Sequence, residues 1–374
     1  MTFASAFRRA APLGVAIAVL GCDVAQFVAD PRPTFEQTWN IPTAPTAISA
    51  GSLIPGNVAI YSTPGSTPPD SSAFLLNINN VVFTKRVGDD CAQCQTQNGT
   101  TATKPAFVLA AGGSSPLPTD VVSGALINAS VSYSIVNNLS FDPIRVRPVS
   151  DPTQGYMLIL IRSGSVVLGR DSINGATTAF PPGATLSAPV IMNTGTITGV
   201  IQVDATISSP AGDPAQPPVL INANGTVRVT ATLANVRTSS LRINVVNKRI
   251  TNRPATIHLK GLDSAITRRI VSGRLEMSID NPWTVGGNLG LNLIYDAQDT
   301  LPKSMTMAPA TQPRSAQQQA IVFDKADMQT LLGKEVVLNM SGPVSSASPV
   351  NVTPKQAIGI ANRMVLVLRT GGGQ

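Results

Sequence analysis

The chain contains one stretch twice, KPAFVLAAGGSSPLPTDVVSGAL at Lys104–Leu126 and RPATIHLKGLDSAITRRIVSGRL at Arg253–Leu275. Pro105 meets Pro254, Ala106 meets Ala255, Gly112 meets Gly261, Ser115 meets Ser264 and Val122-Ser123-Gly124 meets Val271-Ser272-Gly273, all at an offset of 149. A constant offset over that length signals an internal duplication. Upstream, Lys85-Arg86-Val87 corresponds to Lys248-Arg249-Ile250 at an offset of 163. Downstream, Ser134-Ile135 and Asn137 meet Ser278-Ile279 and Asn281 at 144, and VRVTATLANVRT, ending at Thr238, meets IGIANRMVLVLRT, ending at Thr370, at 131 or 132. Offsets that fall steadily along the chain are what loop insertions in the first copy produce. The largest insertion is Gly88–Lys104, 17 residues, where the second copy has only Thr251–Arg253, 3 residues. On this reading His258 stands where the first copy has Leu109, a strand position.

The residue pattern predicts strands throughout. In ALINASVSYSIVNN, Ile127, Ala129, Val131, Tyr133 and Ile135 fall on one face and polar residues on the other. Val, Ile and Thr recur in short runs between Asn, Pro and Gly turn signals, and each copy holds about seven or eight such segments, enough for two packed sheets. Asp324 followed by KADMQTLLG predicts one short helix, capped by the aspartate and ended by Gly333. The expected fold is all-β: two tandem, duplicated β-sandwich-like domains at 73–238 and 239–374. A Pro-rich extended arm at 22–72 precedes them, because its prolines remove backbone donors and favour open structure. Within the arm, Phe35, Trp39 and Ile41 alternate as apolar positions and are candidate partner contacts, with a domain of this chain, a membrane surface or another protein as the surface they meet. With 374 residues, 43% apolar and 13% charged, the chain has room for two cores and is too apolar for disorder.

Residues 1–21 read as an export signal: Arg8-Arg9, the apolar stretch Ala10–Leu20, then Gly21-Cys22. Val19-Leu20-Gly21-Cys22 resembles the lipobox of bacterial lipoproteins. That resemblance implies that Cys22 is diacylated, becomes the new N-terminus and is acylated again, giving a stable tether to a membrane facing the periplasm. By resemblance to enterobacterial lipoproteins, Asp23 favours the inner membrane over the outer. Loss of two arginines with the signal takes the formal charge from +7 to about +5, a balance that fits a solvated surface of mixed charge as well as attraction to anionic headgroups or an acidic partner. Nucleic acid is not an expected partner, since no Lys/Arg cluster interleaves with aromatics. Ile135–Asn138 and Ile279–Pro282, with Phe180-Pro181-Pro182-Gly183 further on, resemble the late embryogenesis abundant type 2 (WHy) domain over about 100 residues of each copy, which implies a sandwich.

The insertion carries Cys91 and Cys94 as a C-x-x-C, a pattern open to a redox pair, half a metal site or a local disulfide. A zinc site needs four ligands, but there is no second C-x-x-C and the single histidine, His258, lies in the other copy. The segment reads as a polar loop without the helix that activates a redox cysteine, so a disulfide stiffening the loop is expected in an oxidising compartment. No nucleophile elbow, zinc-binding helix motif, dinucleotide fingerprint or P-loop is present. Asp89-Asp90 and Asp324/Asp327 sit in a loop and at a helix start, where carboxylates are at home without catalysis. The sequence therefore predicts no catalytic residues, metal or cofactor. It points to a lipid-anchored, membrane-extrinsic scaffold that docks onto or stabilises an integral membrane protein complex, with a periplasmic carrier of a lipid or other apolar ligand as the alternative.

Overall fold

Strands alternating in and out along their length pair into two successive sandwiches with the same strand order. The computed structural model describes residues 34–62, 71–127, 129–233, 236–262, 264–296, 299–311 and 314–370. The fold is all-β, with α-helix among the described residues confined to Val87–Asp90, Ala92–Thr96, Ser264–Arg269 and Lys325–Leu331. The helix predicted after Asp324 forms: the Asp324 carboxylate accepts from the Asp327 amide at 2.8 Å, and Gly333 follows with φ +76°.

In the first sandwich one sheet runs Thr185–Met192, Ala129–Asn138, Thr226–Thr232, Val81–Arg86, and the other Val166–Asn174, Tyr156–Ser163, Val200–Ser209, Phe107–Pro116. The second repeats this order. One sheet runs Gln317–Phe323, Ile270–Asp280, Ala357–Thr370, and the other Asp299–Met307, Gly287–Tyr295, Glu335–Val344, then Lys248–Thr251 with Ala255–His258. Register agrees as well as order. Ile135 faces Val229 and Ile279 faces Ile360, which reproduces the sequence offsets of 144 and 131. Gly124 and Gly273 both lie where a neighbour crowds the backbone. A Cβ on Gly124 would stand 2.9 Å from the Thr238 methyl, and one on Gly273 would stand 2.4 Å from the Met328 sulfur, so a side chain at either position would force that neighbour to shift.

The two copies differ in who occupies the last seat of one sheet. In the first, Val81–Arg86 pairs with Thr226–Thr232, and the 17-residue insertion carries the chain across to Phe107–Pro116 in the opposite sheet. In the second, Lys248–Thr251 does not take the equivalent place beside Ala357–Thr370. It pairs with Glu335–Val344 in the opposite sheet, followed along the same edge by Ala255–His258. The reason is length: packed sheets lie about 10 Å apart, and Asn252, Arg253 and Pro254 fully extended span about that distance with nothing left for a turn. The equivalence of Lys248-Arg249-Ile250 with Lys85-Arg86-Val87 is therefore corrected. With VIQVDATISS at Val200–Ser209 matched to EVVLNMSGPV at Glu335–Val344, the register at Pro254 is corrected too, because Ala255 opposite Leu338 then occupies the place of Gly113 opposite Val203. His258, exposed and opposite Glu335, takes the place of Pro116 rather than Leu109.

The vacant seat is filled from the N-terminal segment. Phe35–Pro42 and Thr46–Ser49 pair antiparallel with Ala357–Thr370, from Phe35 opposite Thr370 to Ser49 opposite Ala357. Residues 34–62, expected as part of an extended arm outside the domains, thus belong to the fold through the strands Phe35–Pro42, Thr46–Ser49 and Val58–Ser62, with Ile48, Ala50 and Leu53 buried in the core. Asn252 ties this segment to the facing sheet. Its amide nitrogen donates to Thr46 Oγ1 at 3.3 Å and to the Leu338 carbonyl at 3.3 Å, and its oxygen accepts from the Met340 amide at 2.7 Å. A third layer of strands, Gly195–Thr198, Val121–Leu126, Val236–Ile243, Ser71–Leu76 and Val58–Ser62, joins the copies, with Val350–Val352 of the second copy also pairing with Val236–Ile243. The boundary expected at 238/239 falls inside that shared strand.

A buried asparagine recurs at the same place in each copy. Asn137 Nδ2 donates to the carbonyls of Phe141 and Phe180 at 3.0 and 2.6 Å, and its oxygen accepts from the Leu139 amide at 2.9 Å. Asn281 Nδ2 donates to the carbonyls of Val285 and Ala308 at 2.8 and 3.0 Å, and its oxygen accepts from the Trp283 amide at 3.0 Å. Each side chain closes the turn after its strand and clamps it to the segment entering the sheet's edge strand. Removing the amide takes partners from three backbone groups, all of them in buried bonds at Asn137 and two of the three at Asn281. Asn137→Ala and Asn281→Ala should therefore each lower stability by about 3 kcal/mol in chemical denaturation, whereas replacement of the neighbouring exposed Asn138 by Ala should stay within about 0.5 kcal/mol.

Candidate functional site

The insertion that crosses between the first sandwich's sheets packs as a folded element. Contrary to the polar-loop expectation, it forms two helical turns, Val87–Asp90 and Ala92–Thr96. Cys91 and Cys94 are joined by a disulfide, both are buried, and the Cys91 sulfur accepts from the Cys94 amide. The element lies on residues 221–225 through Val87 N to Gly225 O, Gly88 N to Ala223 O and Gly99 N to Ile221 O. Its cysteines hold the crossing in shape and face the interior.

The other candidate residues lie apart from it. Trp39 and Ile41 stand opposite Leu366 and Met364 and pack, half-buried, against the core of the second sandwich. Of the three surfaces expected for them, Trp39 and Ile41 meet a domain of this chain, while Phe35 remains 61% exposed at the strand's start. Cys22 lies outside the described residues. Among the described residues no three His, Cys, Asp or Glu side chains are grouped to hold a metal ion, and no helix is long and apolar enough to cross a membrane.

At its far end the insertion leads into Lys104, which opens a cleft that sequence reasoning missed. The cleft, about 250 Å³, lies where residues 103–104 meet the loops 139–155 and 210–219. Two side chains hold the first loop. Asp142 Oδ1 accepts from the amides of Ile144 and Arg145, and Oδ2 from that of Phe180. Gln154 accepts from the amide of Val146 and donates to the carbonyls of Arg147 and Pro148. The second loop is fixed by Gly212, whose amide donates to the Lys104 carbonyl at 2.8 Å.

Lys104 is 5% exposed. Its ammonium donates to Ser209 Oγ and the Pro210 carbonyl, both at 2.5 Å, and more weakly to the Pro105 carbonyl at 3.4 Å. The Phe107 and Phe141 rings lie 5.0 and 5.9 Å from it, close enough for cation–π attraction. Burial pulls its pKa down to about 7, opposed by the negative charge of Asp142 and reinforced by the positive charge of Arg147. Arg145 and Arg147 line the same cleft. The sequence signal was an Arg-x-Arg in a Pro-bounded loop, DPIRVRP, but nothing local marks Lys104 as buried. The arrangement can hold negative charge against a rigid wall.

No protein-family model matches the chain, and no curated protein matches it significantly. Among solved structures it is similar to a protein described as secreted from Parabacteroides distasonis, at 8% identity and a TM-score of 0.32 over 90% of this chain and 100% of that one. It is also similar to the N-terminal CBM22-1-CBM22-2 tandem domain from Paenibacillus barcinonensis Xyn10C, at 9% identity and a TM-score of 0.17 over 79% and 99% of the two chains. The N-terminal domain of the Streptococcus gordonii adhesin Sgo0707 follows at 7% identity and a TM-score of 0.18, over 89% and 92%. Likenesses this weak support no inference about function.

The lowered Lys104 pKa fixes a sign. Between about pH 7 and the ordinary lysine value of 10.5 the unfolded chain binds the proton that the folded chain has released, so this group makes stability rise with pH across that window. The contribution is on the order of a few kcal/mol. In urea denaturation at pH 7 and pH 10, Lys104→Met should gain stability at the lower pH relative to the parent, and the difference between the two chains should shrink at the higher pH.

Proposed function

We propose that this is an exported, lipid-tethered, membrane-extrinsic protein without catalysis of its own, which docks onto or stabilises a membrane protein assembly on the periplasmic side. The position of the N-terminal strand carries the reading. Phe35–Pro42 is built into the second sandwich, and 12 residues separate Cys22 from Phe35. At full extension they span about 40 Å. Acyl chains on Cys22 would thus keep the second sandwich within about 40 Å of the bilayer through a hydrogen-bonded strand, and leave the first sandwich, with its loop cleft, to meet a partner. The resemblance of Val19–Cys22 to a lipobox and the buried disulfide of Cys91 and Cys94 both agree with export, and Asp23 favours the inner membrane.

The carrier alternative gains no support from the space between the sheets of the first sandwich. The apolar space between the sheets of the first sandwich, lined by Phe83, Leu109, Ala205 and Val229, measures about 10 Å³, room for at most one water. Extraction in a mild detergent should bring the protein out with a stoichiometric integral membrane partner, and mass spectrometry should find an acylated Cys22 at the mature N-terminus. A monomer carrying extractable lipid would overturn the docking reading, and a mature chain beginning elsewhere would remove the tether.

A further inference from the structure

We propose that the cleft around Lys104 binds a small oxyanion, a carboxylate or a phosphate monoester, seated between Lys104, Arg145 and Arg147. Charge accounting leads to it. Lys104 is buried, and its three acceptors are all neutral oxygens, Ser209 Oγ and the carbonyls of Pro210 and Pro105. It forms no ion pair within 4 Å among the described residues. Removing an ammonium from water without a counter-charge is costly, and the protein supplies none at contact distance. The cleft's two carboxylates are turned to other work. Asp142 spends both oxygens on the amides of Ile144, Arg145 and Phe180, and Asp213 caps the amide of Ala215.

The cations are less occupied. Arg145 uses Nε on the Gly175 carbonyl, and its terminal nitrogens make no hydrogen bond or ion pair with the described residues. Arg147 pairs with Asp151 at 3.3 Å and donates to Thr153 through Nη1, its Nε reaches the Ala211 carbonyl at 3.4 Å, and its Nη2 makes no hydrogen bond with the described residues. Of the three cations that line the cleft, Arg147 is paired with Asp151, while Lys104 and Arg145 form no ion pair among the described residues. A guanidinium with free terminal nitrogens matches the paired oxygens of a carboxylate or phosphate. The volume of about 250 Å³ and the apolar walls Phe141 and Val219 admit an oxyanion on a short apolar body. Preorganisation favours binding too, because Asp142 and Gln154 fix the loop before any ligand arrives.

Bound negative charge favours the protonated form of Lys104. Affinity is therefore highest below about pH 7, where the free site already carries the proton, and declines as pH rises, with proton uptake on binding in that range. The other ionisable groups of the lining are Asp142, Asp213, Arg145 and Arg147. The test is isothermal titration of the full mature chain with inorganic phosphate and, separately, with hexanoate, at about pH 6.5 and pH 9. Saturable one-to-one binding of at least one probe is expected, weakened about ten-fold or more at the higher pH and in Arg145→Gln, with the tighter probe identifying the class. Lys104→Met should abolish binding while melting cooperatively, and if that variant does not fold, Arg147→Gln provides the second measurement. No heat from either probe up to about 10 mM, or binding unchanged in both arginine variants, would overturn the site. Neither outcome depends on a membrane partner, so the docking reading stands or falls separately.

Discussion

The separation of about 10 Å between packed sheets decides how this chain is threaded. In the first copy, 17 residues between the opening strand and Pro105 let the chain cross from one sheet to the other; in the second, 3 residues do not. The consequence is a sandwich that its own contiguous sequence leaves one strand short. Residues 35–49 supply the missing strand from more than 300 positions away. The second domain is discontinuous for this reason, and the first, whose insertion is locked by the Cys91–Cys94 disulfide, is not.

Buried polar side chains then fix the geometry that apolar packing alone leaves open. Asn137 and Asn281 make the same three hydrogen bonds in their two settings. Asn252 performs a comparable service only in the second copy, where it sits at the break between Lys248–Thr251 and Ala255–His258 and binds the borrowed strand through Thr46. Every such bond satisfied within the core favours one register over its neighbours, since a slip by one residue would strand buried donors and turn the apolar face outward. At Lys104 the hydrogen bonds are complete but the charge is not balanced, and the side chain lies at the wall of a cleft.

Much of the fold was legible because duplication leaves its record in local sequence. The offsets at Ile135/Ile279 and at Val229/Ile360 survive in the pairing, and the Asp324 cap acts where its residue type predicts. The N-terminal strand was not legible as part of a domain. Its prolines argue for open chain, and its partner strand is the most distant in sequence; only the alternation of Phe35, Trp39 and Ile41 hinted at a face to bury. An edge position explains why the segment tolerates Pro42 at its end. The register at Pro254 was misread because a short identity, Pro-Ala, outweighed the missing length that decides the path. The cleft escaped notice because the burial of Lys104 arises from three segments that meet only in the folded chain.

The borrowed strand is the feature on which the architecture and the position of the tether both rest, and cross-linking tests it directly. Glu36 and Arg369 are register partners, with a Glu36 carboxylate oxygen 3.2 Å from an Arg369 terminal nitrogen. Facing residues of an antiparallel pair lie about 4.5–5.5 Å apart at Cα, within reach of a disulfide. The double variant Glu36→Cys, Arg369→Cys, oxidised in dilute solution and mapped by peptide mass spectrometry, should yield the 36–369 disulfide within one chain in high yield. Free thiols at both positions, or cross-links only between chains, would contradict the placement of residues 35–49 in the second sandwich of the same molecule.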